Sequence, residues 1–406
     1  MEILYVSVLS SSRLINKLHN ESGLNPGFQA QKFHRLIASG FVKNHVNLQT
    51  LTGLPISRDI SKKLFWKGFS ESEDGVNYKY IPFVNLSVLR QICLFLYAFV
   101  YTIHWGLTNR KDKVIVCDVL NVSICVGSLW ASKVVGVKSV GIMTDMPGLM
   151  VNQSHDVKRR SIKSLFTKFN KSYLSCFSSY VFLTEQMNSA VNRKSRPYLV
   201  MEGLVDEGMS DVIMYTKESF STSCDERIIL YAGGLHEKYG LKTLVEAFLL
   251  LPHNDIRLHL YGNGPFVKQL KDDYCKRDPR IVYHGIVTNE EVIKAELEAT
   301  LLVNPRPTNE VFTQYSFPSK NMEYMVSGTP VLTTKLPGMP EEYYTYIYMF
   351  DDESVPGFTE KMKEVLSIPT EDLHEKGIKA KQFVLQKKNN VWQTKRIVEM
   401  IKNLLN

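Results

Sequence analysis

Between Asn304 and Val331 the chain reads NPRPTNEVFTQYSFPSKNMEYMVSGTPV, and those residue types fit the binding of a phosphorylated ligand. ATLLVNP is a short apolar strand ending at Asn304-Pro305. Pro318-Ser319 then signals a helix start, where the missing proline N–H costs nothing. At about 100° per residue, Lys320, Glu323, Tyr324 and Ser327 share one face of that helix, while Met322, Met325 and Val326 lie opposite. The sulfur-rich face is expected to be core, and the other is expected to be free for a ligand. Exposed N–H groups and the positive dipole of a helix start favour a phosphate, and Lys320 adds a cation that needs an anionic partner. Gly328-Thr329-Pro330 closes the helix and VLTT restarts a strand, which completes a βαβ passage. Taken alone, FPSKNMEYM is equally satisfied by an ordinary amphipathic helix of an α/β domain.

Other candidates sit at strand ends. YAGGLHEKYGLKTLVEAF begins as a strand, turns at Gly233-Gly234, passes Lys238 and enters a helix after Gly240. RLHLYGNGP ends a strand with Gly262 and Gly264, and Tyr283-His284-Gly285 ends the next. Arg306 follows the strand of the first motif. In the first half, VIVCD ends on Asp118 and GIMTDMPG places Asp145 just past a strand, at the sheet edge where open α/β sheets bind ligands. Either carboxylate could orient or deprotonate an acceptor hydroxyl, and each is equally explained by capping or loop ordering. Gly23, Pro26, Gly27 and Gln29 fall in the first βα loop. No Asp-x-Asp follows a strand, and Glu71-Ser72-Glu73-Asp74 reads as a polar loop, so no metal site is expected.

These residues need strand ends to hold them, and the chain supplies two series. ILYVSVL, HVNLQTL, KYIPF, KVIVCD, KSVGIMTD and SYVFLT alternate with helical patterns in the first half. RIILYAGG, RLHLYGNG, RIVYHG, TLLVNP and PVLTT do so in the second. Buried β-branched runs separated by helices imply parallel sheets covered on both faces, hence an α/β protein with two doubly wound domains. The expected division is 1–204 for the first domain, 205–227 for a linker, 228–385 for the second domain and 386–406 for a closing helix. Trp392, Ile397, Met400 and Leu404 are expected along the apolar face of that last segment.

The 406 residues are 44% hydrophobic and 22% charged, which suits a folded, core-bearing protein and excludes a disordered one. Six cysteines show no Cys-x-x-Cys or histidine-linked spacing and read as reduced thiols of a cytoplasmic protein. MEILYVSVLSSS carries an acid where a signal peptide has basic residues, and it reads as the first strand. The longest apolar run, 92–105, is shorter than the roughly 18–20 residues that span a bilayer, so no transmembrane helix is expected. The net charge of +8 favours anionic surfaces. Lys62, Lys63 and Lys67 flank Trp66, and Lys158 to Lys171 form a basic run in which Ile162, Leu165, Phe166 and Phe169 make a helical apolar stripe. A solvated surface helix and contact with an anionic membrane leaflet both fit that run. Nucleic acid fits less well, because no aromatic stacking platform accompanies it, and no nucleic-acid partner is expected.

From Tyr231 to Glu323 the motifs resemble, in order and spacing, the donor-binding half of the family-4 retaining glycosyltransferases of the GT-B fold. That family carries two glutamates eight positions apart; Glu323 matches the second, and Tyr315 stands at the first. The resemblance implies that Glu323 bonds the nucleotide ribose and that Tyr315 takes the sugar-side position. It also implies that Gly262, Gly264 and the loop after Gly285 lie near the nucleotide. Where the family has a pyrophosphate-binding arginine and lysine, this chain has Gly234 and Tyr239, with Lys238 one residue earlier. Arg306, Ser319 and Lys320 are then expected to meet the phosphates. The implied activity is metal-independent retaining transfer from a nucleotide sugar, UDP-linked, with no cofactor beyond that co-substrate. The implied acceptor is a saccharide or lipid-linked oligosaccharide of cell-surface polysaccharide synthesis. The expected setting is the cytoplasm, with a peripheral position on the inner membrane face that rests on the 158–171 basic run and on the neighbourhoods of Trp66 and Trp105. Two rivals remain: a two-Rossmann nucleotide-sugar epimerase and a non-catalytic glycosyltransferase-like subunit.

Overall fold

A computed structural model describes residues 1–24, 27–108, 112–146, 172–209, 226–252 and 255–406. The chain divides into two units, the first comprising 1–204 and 390–406 and the second comprising 205–389. The basic run 158–171 lies outside the described residues, as do Pro26 and most of the expected linker.

In the first unit the strands are β1 Glu2–Ser7, β2 Asn47–Thr52, β3 Phe65–Trp66, β4 Phe69–Glu73, β5 Val76–Tyr80 and β6 Phe83–Val84. They continue with β7 Lys113–Asp118, β8 Lys138–Met143, β9 Ser179–Phe182 and β10 Tyr198–Val200. Eight of them form one sheet in the order β10-β9-β8-β7-β1-β2-β5-β4, parallel except for the β4 edge. β3 and β6 pair as a separate antiparallel ribbon. β1 and β7 are buried along their whole length, as expected of central strands covered on both faces. The acidic stretch expected to be a loop is the β4 strand itself. Asp74 and Gly75, both at positive φ, form the tight turn that returns it as β5.

The second unit holds β11 Arg227–Ala232, β12 Ile256–Tyr261, β13 Ile281–Gly285, β14 Leu301–Asn304, β15 Val331–Thr334 and β16 Tyr348–Phe350. Their order is β13-β12-β11-β14-β15-β16, all parallel. Counted along this unit, that is the doubly wound order 3-2-1-4-5-6, whose direction of winding reverses between β11 and β14. One core layer on the sheet includes Leu244, Phe248 and Phe358, and the other includes Met322, Tyr324, Met325 and Tyr343.

The expected closing helix is the Asn390–Leu405 helix, separated at Lys388-Asn389 from the Thr370–Lys387 helix before it. Its apolar face differs from expectation. Ile397, Val398 and Ile401 are buried with Gln393 and Thr394, whereas Trp392 is exposed. The reason is a helix crossing at Gly40 of the Phe28–Lys43 helix, where a Cβ would lie 2.4 Å from the Asn390 carbonyl and from Thr394 Oγ1. The Asn44 amide locks that crossing by donating to the Gly40 carbonyl, the Val391 carbonyl and Thr394 Oγ1.

Candidate functional site

Pairing between β11 and β14 stops at Leu230–Leu302, while β11 stays paired to β12 as far as Ala232–Tyr261. The β11–β14 ladder therefore opens at its carboxyl end, where doubly wound sheets hold ligands. The Ser319–Ser327 helix fills the opening from one side. Tyr324, expected on the ligand face, is fully buried instead. Its hydroxyl accepts the Ala232 N–H at 2.8 Å and donates to the Ala232 carbonyl at 3.2 Å, satisfying backbone groups that no strand pairs there. Ser327 is also buried, with its hydroxyl donating to the Tyr324 carbonyl. The unburied part of the helix is thus narrower than periodicity implies: Ser319, Lys320 and Glu323.

A buried polar network sets the start of this helix. Asn304 Nδ2 donates to Asn321 Oδ1 at 2.6 Å, and the Thr333 hydroxyl donates to the Asn304 carbonyl at 3.0 Å. These bonds tie β14, β15 and the first helical turn together, and the sulfur-rich reading of that helix face missed them. Pro318 opens the helix and no side chain caps it. By contrast, the first helix of the other unit, Ser12–Ser22, is filled at its start by protein carboxylates. Glu73 accepts the Ser12 N–H at 2.6 Å and the Arg13 N–H at 3.1 Å, and Glu71 accepts the Ser11 hydroxyl at 2.6 Å.

Arg306 is the cation at the opening. Gly240, at φ +81, lies so close to the Pro305 carbonyl that a Cβ would stand 1.9 Å from its oxygen. This approach brings Tyr239, in the short helical turn Glu237–Tyr239, beside Arg306. The guanidinium lies 4.8 Å over the Tyr239 ring and 5.6 Å over Phe312. Among the described residues no carboxylate forms a salt bridge with it, and its buried Nε has no hydrogen-bond partner. Burial lowers the Arg306 pKa, with Tyr231 and Tyr239 opposing that shift. A guanidinium held by ring faces keeps donors for an incoming anion.

Lys320 differs. Its ammonium lies 2.7 Å from Glu323 Oε2 and 4.0 Å from Glu296 Oε1, so its charge is matched within the protein. Burial acts to lower its pKa, but Glu323 and then Glu296 outweigh burial and raise it. Lys320 therefore fixes the Glu323 carboxylate, which is 25% exposed and can still take a hydroxyl. Glu296, buried on the neighbouring Asn289–Glu298 helix, carried no motif that would have singled it out.

The glycines meet beside this point. The Gly233 N–H donates to the Tyr261 carbonyl at 3.0 Å and the Gly262 N–H to the Gly285 carbonyl at 2.7 Å. Gly262 has φ +120, and a Cβ there would sit 1.9 Å from the Gly233 carbonyl oxygen. Gly264 packs against the Leu235 carbonyl, and the Gly234 carbonyl accepts the Tyr231 hydroxyl at 3.0 Å. Lys238 is exposed, with its ammonium 5.6 Å over Tyr239. Tyr315 ends the short helical turn Val311–Tyr315, half-buried, four residues before Ser319.

Asp118 and Asp145 belong to the other unit, at the ends of the neighbouring strands β7 and β8. Asp118 is buried and committed. Its Oδ2 lies 3.0 Å from His34 Nε2, its Oδ1 accepts the Leu120 N–H at 3.0 Å, and Asn121 donates to it as well. His34 Nδ1 in turn meets the Tyr5 hydroxyl. Asp145 is half-buried, and burial raises its pKa against the opposing Met146 N–H, which donates to Oδ1 at 2.7 Å. Among the described residues no group of three His, Cys, Asp or Glu is placed to hold a metal ion.

Two Rossmann-like units with parallel sheets define the GT-B class of α/β protein, and solved GT-B structures match the chain from end to end. Residues 226–367, which contain the whole opening around Arg306 and Glu323, match the family described as Glycosyl transferases group 1. No curated protein sequence matches the chain. Sucrose-phosphate synthase from Thermosynechococcus elongatus is similar at 13% identity and TM-score 0.63, covering 99% of this chain and 100% of its own. HepE from Anabaena, in complex with UDP, is 13% identical with TM-score 0.60, covering 99% and 100%. The lipopolysaccharide outer core galactosyltransferase WaaB, in its apo form, is 12% identical with TM-score 0.60, covering 99% of both chains.

Proposed function

We propose that this chain is a retaining glycosyltransferase. It moves a sugar from a nucleotide donor, UDP-linked, to a saccharide or lipid-linked acceptor in cell-surface polysaccharide synthesis. It works in the cytoplasm, attached peripherally to a membrane. The observation that carries the reading is the Arg306 guanidinium, set at the open end of the β11–β14 ladder and, among the described residues, without a carboxylate salt bridge. An uncapped helix start lies in the same unit. Together they form a cradle for a diphosphate. The family matched by residues 226–367 and the UDP bound by HepE support the choice of ligand.

In this proposal Glu323 accepts hydrogen bonds from the ribose hydroxyls, oriented by Lys320, and Tyr315 lies toward the sugar. The bond from the anomeric carbon to the diphosphate oxygen breaks, and the departing charge is met by Arg306 and the amides of Ser319 and Lys320 without a divalent ion. The acceptor oxygen bonds to the same face of that carbon. Its proton passes to a base, for which the raised pKa of Asp145 suits it better than the committed Asp118.

UDP should raise the melting temperature of the purified chain, and Arg306→Ala should weaken UDP binding by about ten- to a hundredfold, the worth of one or two charge-assisted hydrogen bonds. UDP binding that is unchanged in both Arg306→Ala and Glu323→Ala would defeat the assignment. Incubation with UDP-sugars and a lipid-linked acceptor then separates the rivals. An epimerase converts the nucleotide sugar without acceptor, and a non-catalytic subunit yields neither transfer nor hydrolysis.

A further inference from the structure

The run expected to be too short for a membrane lies within a 21-residue helix, Ser87–Leu107, which is long and apolar enough to cross one by length and composition. It does not stand apart from the fold. Leu94, Ala98, Thr102 and Trp105 are buried along its inner face; Trp105 Nε1 donates to Glu2, and the Thr102 hydroxyl donates to Ser128 at 3.1 Å. The Val122–Val134 helix packs closely beside it. A Cβ on Gly127 would lie 2.5 Å from the Phe95 carbonyl oxygen, and one on Gly106 would lie 2.5 Å from Val135.

The outer face is also apolar, and among the described residues nothing covers it. Val88, Leu89, Ile92, Leu96, Val100 and Leu107 all project to one side at helical spacing, with Leu96 54% and Val100 65% exposed. Trp130 of the adjoining helix, 47% exposed, meets Phe95 edge to face and extends the patch toward Val134. A helix that is apolar all round is ordinarily enclosed by protein or lipid. The two helices contain no carboxylate, and their charged residues are Arg90 and Lys133. Arg90 is turned inward onto the Leu54 and Ile56 carbonyls. Lys133 is exposed, and Lys79 lies 5.0 Å over Tyr101 of the long helix.

We propose that this face docks on an anionic lipid bilayer. The Ser87–Leu107 helix lies in the plane of the interface with its outer side chains in the acyl boundary, Trp130 at headgroup depth, and Lys133 toward the lipid phosphates. An apolar strip that lacks carboxylates and continues to the exposed Lys133 beside Trp130 is the pattern of an interfacial helix. The buried inner face keeps the helix lying on the surface rather than spanning it. This gives the proposed peripheral attachment a defined surface. It replaces Trp105, whose buried ring cannot reach lipid, and it is independent of the nucleotide site.

The test is co-sedimentation of the full chain with vesicles of phosphatidylcholine, alone or mixed with phosphatidylglycerol. The wild-type chain is expected to bind the mixed vesicles more tightly than the neutral ones. Leu96→Glu/Val100→Glu should lower that binding at least about tenfold, since it places two charges in the acyl boundary. The far-UV spectrum and the response to UDP should stay the same. Val88→Asp, at a position 70% exposed, serves as a second variant if the first misfolds. Lys133→Glu should reduce binding to the mixed vesicles only. The proposal is overturned if the wild-type chain binds neither vesicle, or if the double glutamate variant binds as well as wild type. A wild-type dimer that the variant dissolves, without vesicle binding, would assign the face to a second copy instead.

Discussion

The Tyr324 hydroxyl bonds both backbone groups of Ala232, standing in for the strand partner that β11 loses where β14 diverges. The opening that frames Arg306 thus depends on a phenol from the helix whose start is proposed to hold phosphate. Tyr324→Phe keeps the ring and leaves a buried N–H and carbonyl without partners. A loss of about 1–3 kcal/mol is expected. Chemical denaturation of the second unit should read it as a lower midpoint with an unchanged slope, and an unchanged midpoint would contradict the role given to the hydroxyl.

Gly262 makes a sharper demand. Alanine there would have to hold φ +120 with its Cβ 1.9 Å from the Gly233 carbonyl oxygen, so the β11 and β12 turns must separate. Gly262→Ala is expected to cost about 2–4 kcal/mol through strain and displacement, and to weaken UDP binding as well. Gly23→Ala is the comparison. It has φ +67 but open space around the added carbon, so it should cost only about 1 kcal/mol of strain. Equal melting temperatures for the two variants would show that the close approach does not matter.

Much of the architecture was legible because continuous β-branched apolar runs and glycine-ended strands are local signals. β1, β7, β11 and β14 fall where their sequences imply, and so does the helix after Pro318. What escaped depends on partners far along the chain. Tyr324 reads as ligand-facing by its angle on the helix, yet it is claimed by a backbone gap 92 residues away. Asp118 reads equally as an acceptor-site acid or a loop-ordering one, and its bonds to His34, Leu120 and Asn121 favour the second. Lys320 reads as a cation open to a ligand, yet Glu323 of its own helix pairs with it at 2.7 Å, and the distant Glu296 adds a second carboxylate at 4.0 Å. The β4 strand did carry a local signal that was passed over: Asp74-Gly75 is a tight-hairpin pair.

Asp118 and Asp145 should separate by assay. Asp118→Asn replaces one acceptor oxygen of a buried carboxylate that serves His34, Leu120 and Asn121, so it should destabilise the first unit by about 1–3 kcal/mol. Asp145→Asn lies in a half-buried position where, among the described residues, the carboxylate accepts the Met146 N–H. It should leave the melting temperature nearly unchanged and reduce glycosyl transfer about a hundredfold or more while sparing UDP binding. Full transfer activity in a folded Asp145→Asn chain would remove it from the reaction.

The second unit should also lose stability in mild acid through His259. Its ring lies 4.7 Å from that of His284, which itself stacks on Tyr261 at 4.3 Å. Burial first, and then the neighbouring His284, lower the His259 pKa to about 4, with Glu226 opposing and Arg257 adding to the shift. An unfolded chain takes up that proton near pH 6.5 while the folded unit resists it until about pH 4. The unfolded state therefore binds more protons in between, and stability is full above pH about 6.5 and falls as the pH drops toward 4. Allowing for partial solvent screening, the loss attributable to this ring is on the order of 2 kcal/mol. His259→Gln cannot titrate, so its denaturation midpoint should fall less than that of the wild-type chain between pH 7 and pH 5. Parallel pH profiles for the two proteins would assign the acid sensitivity to other groups.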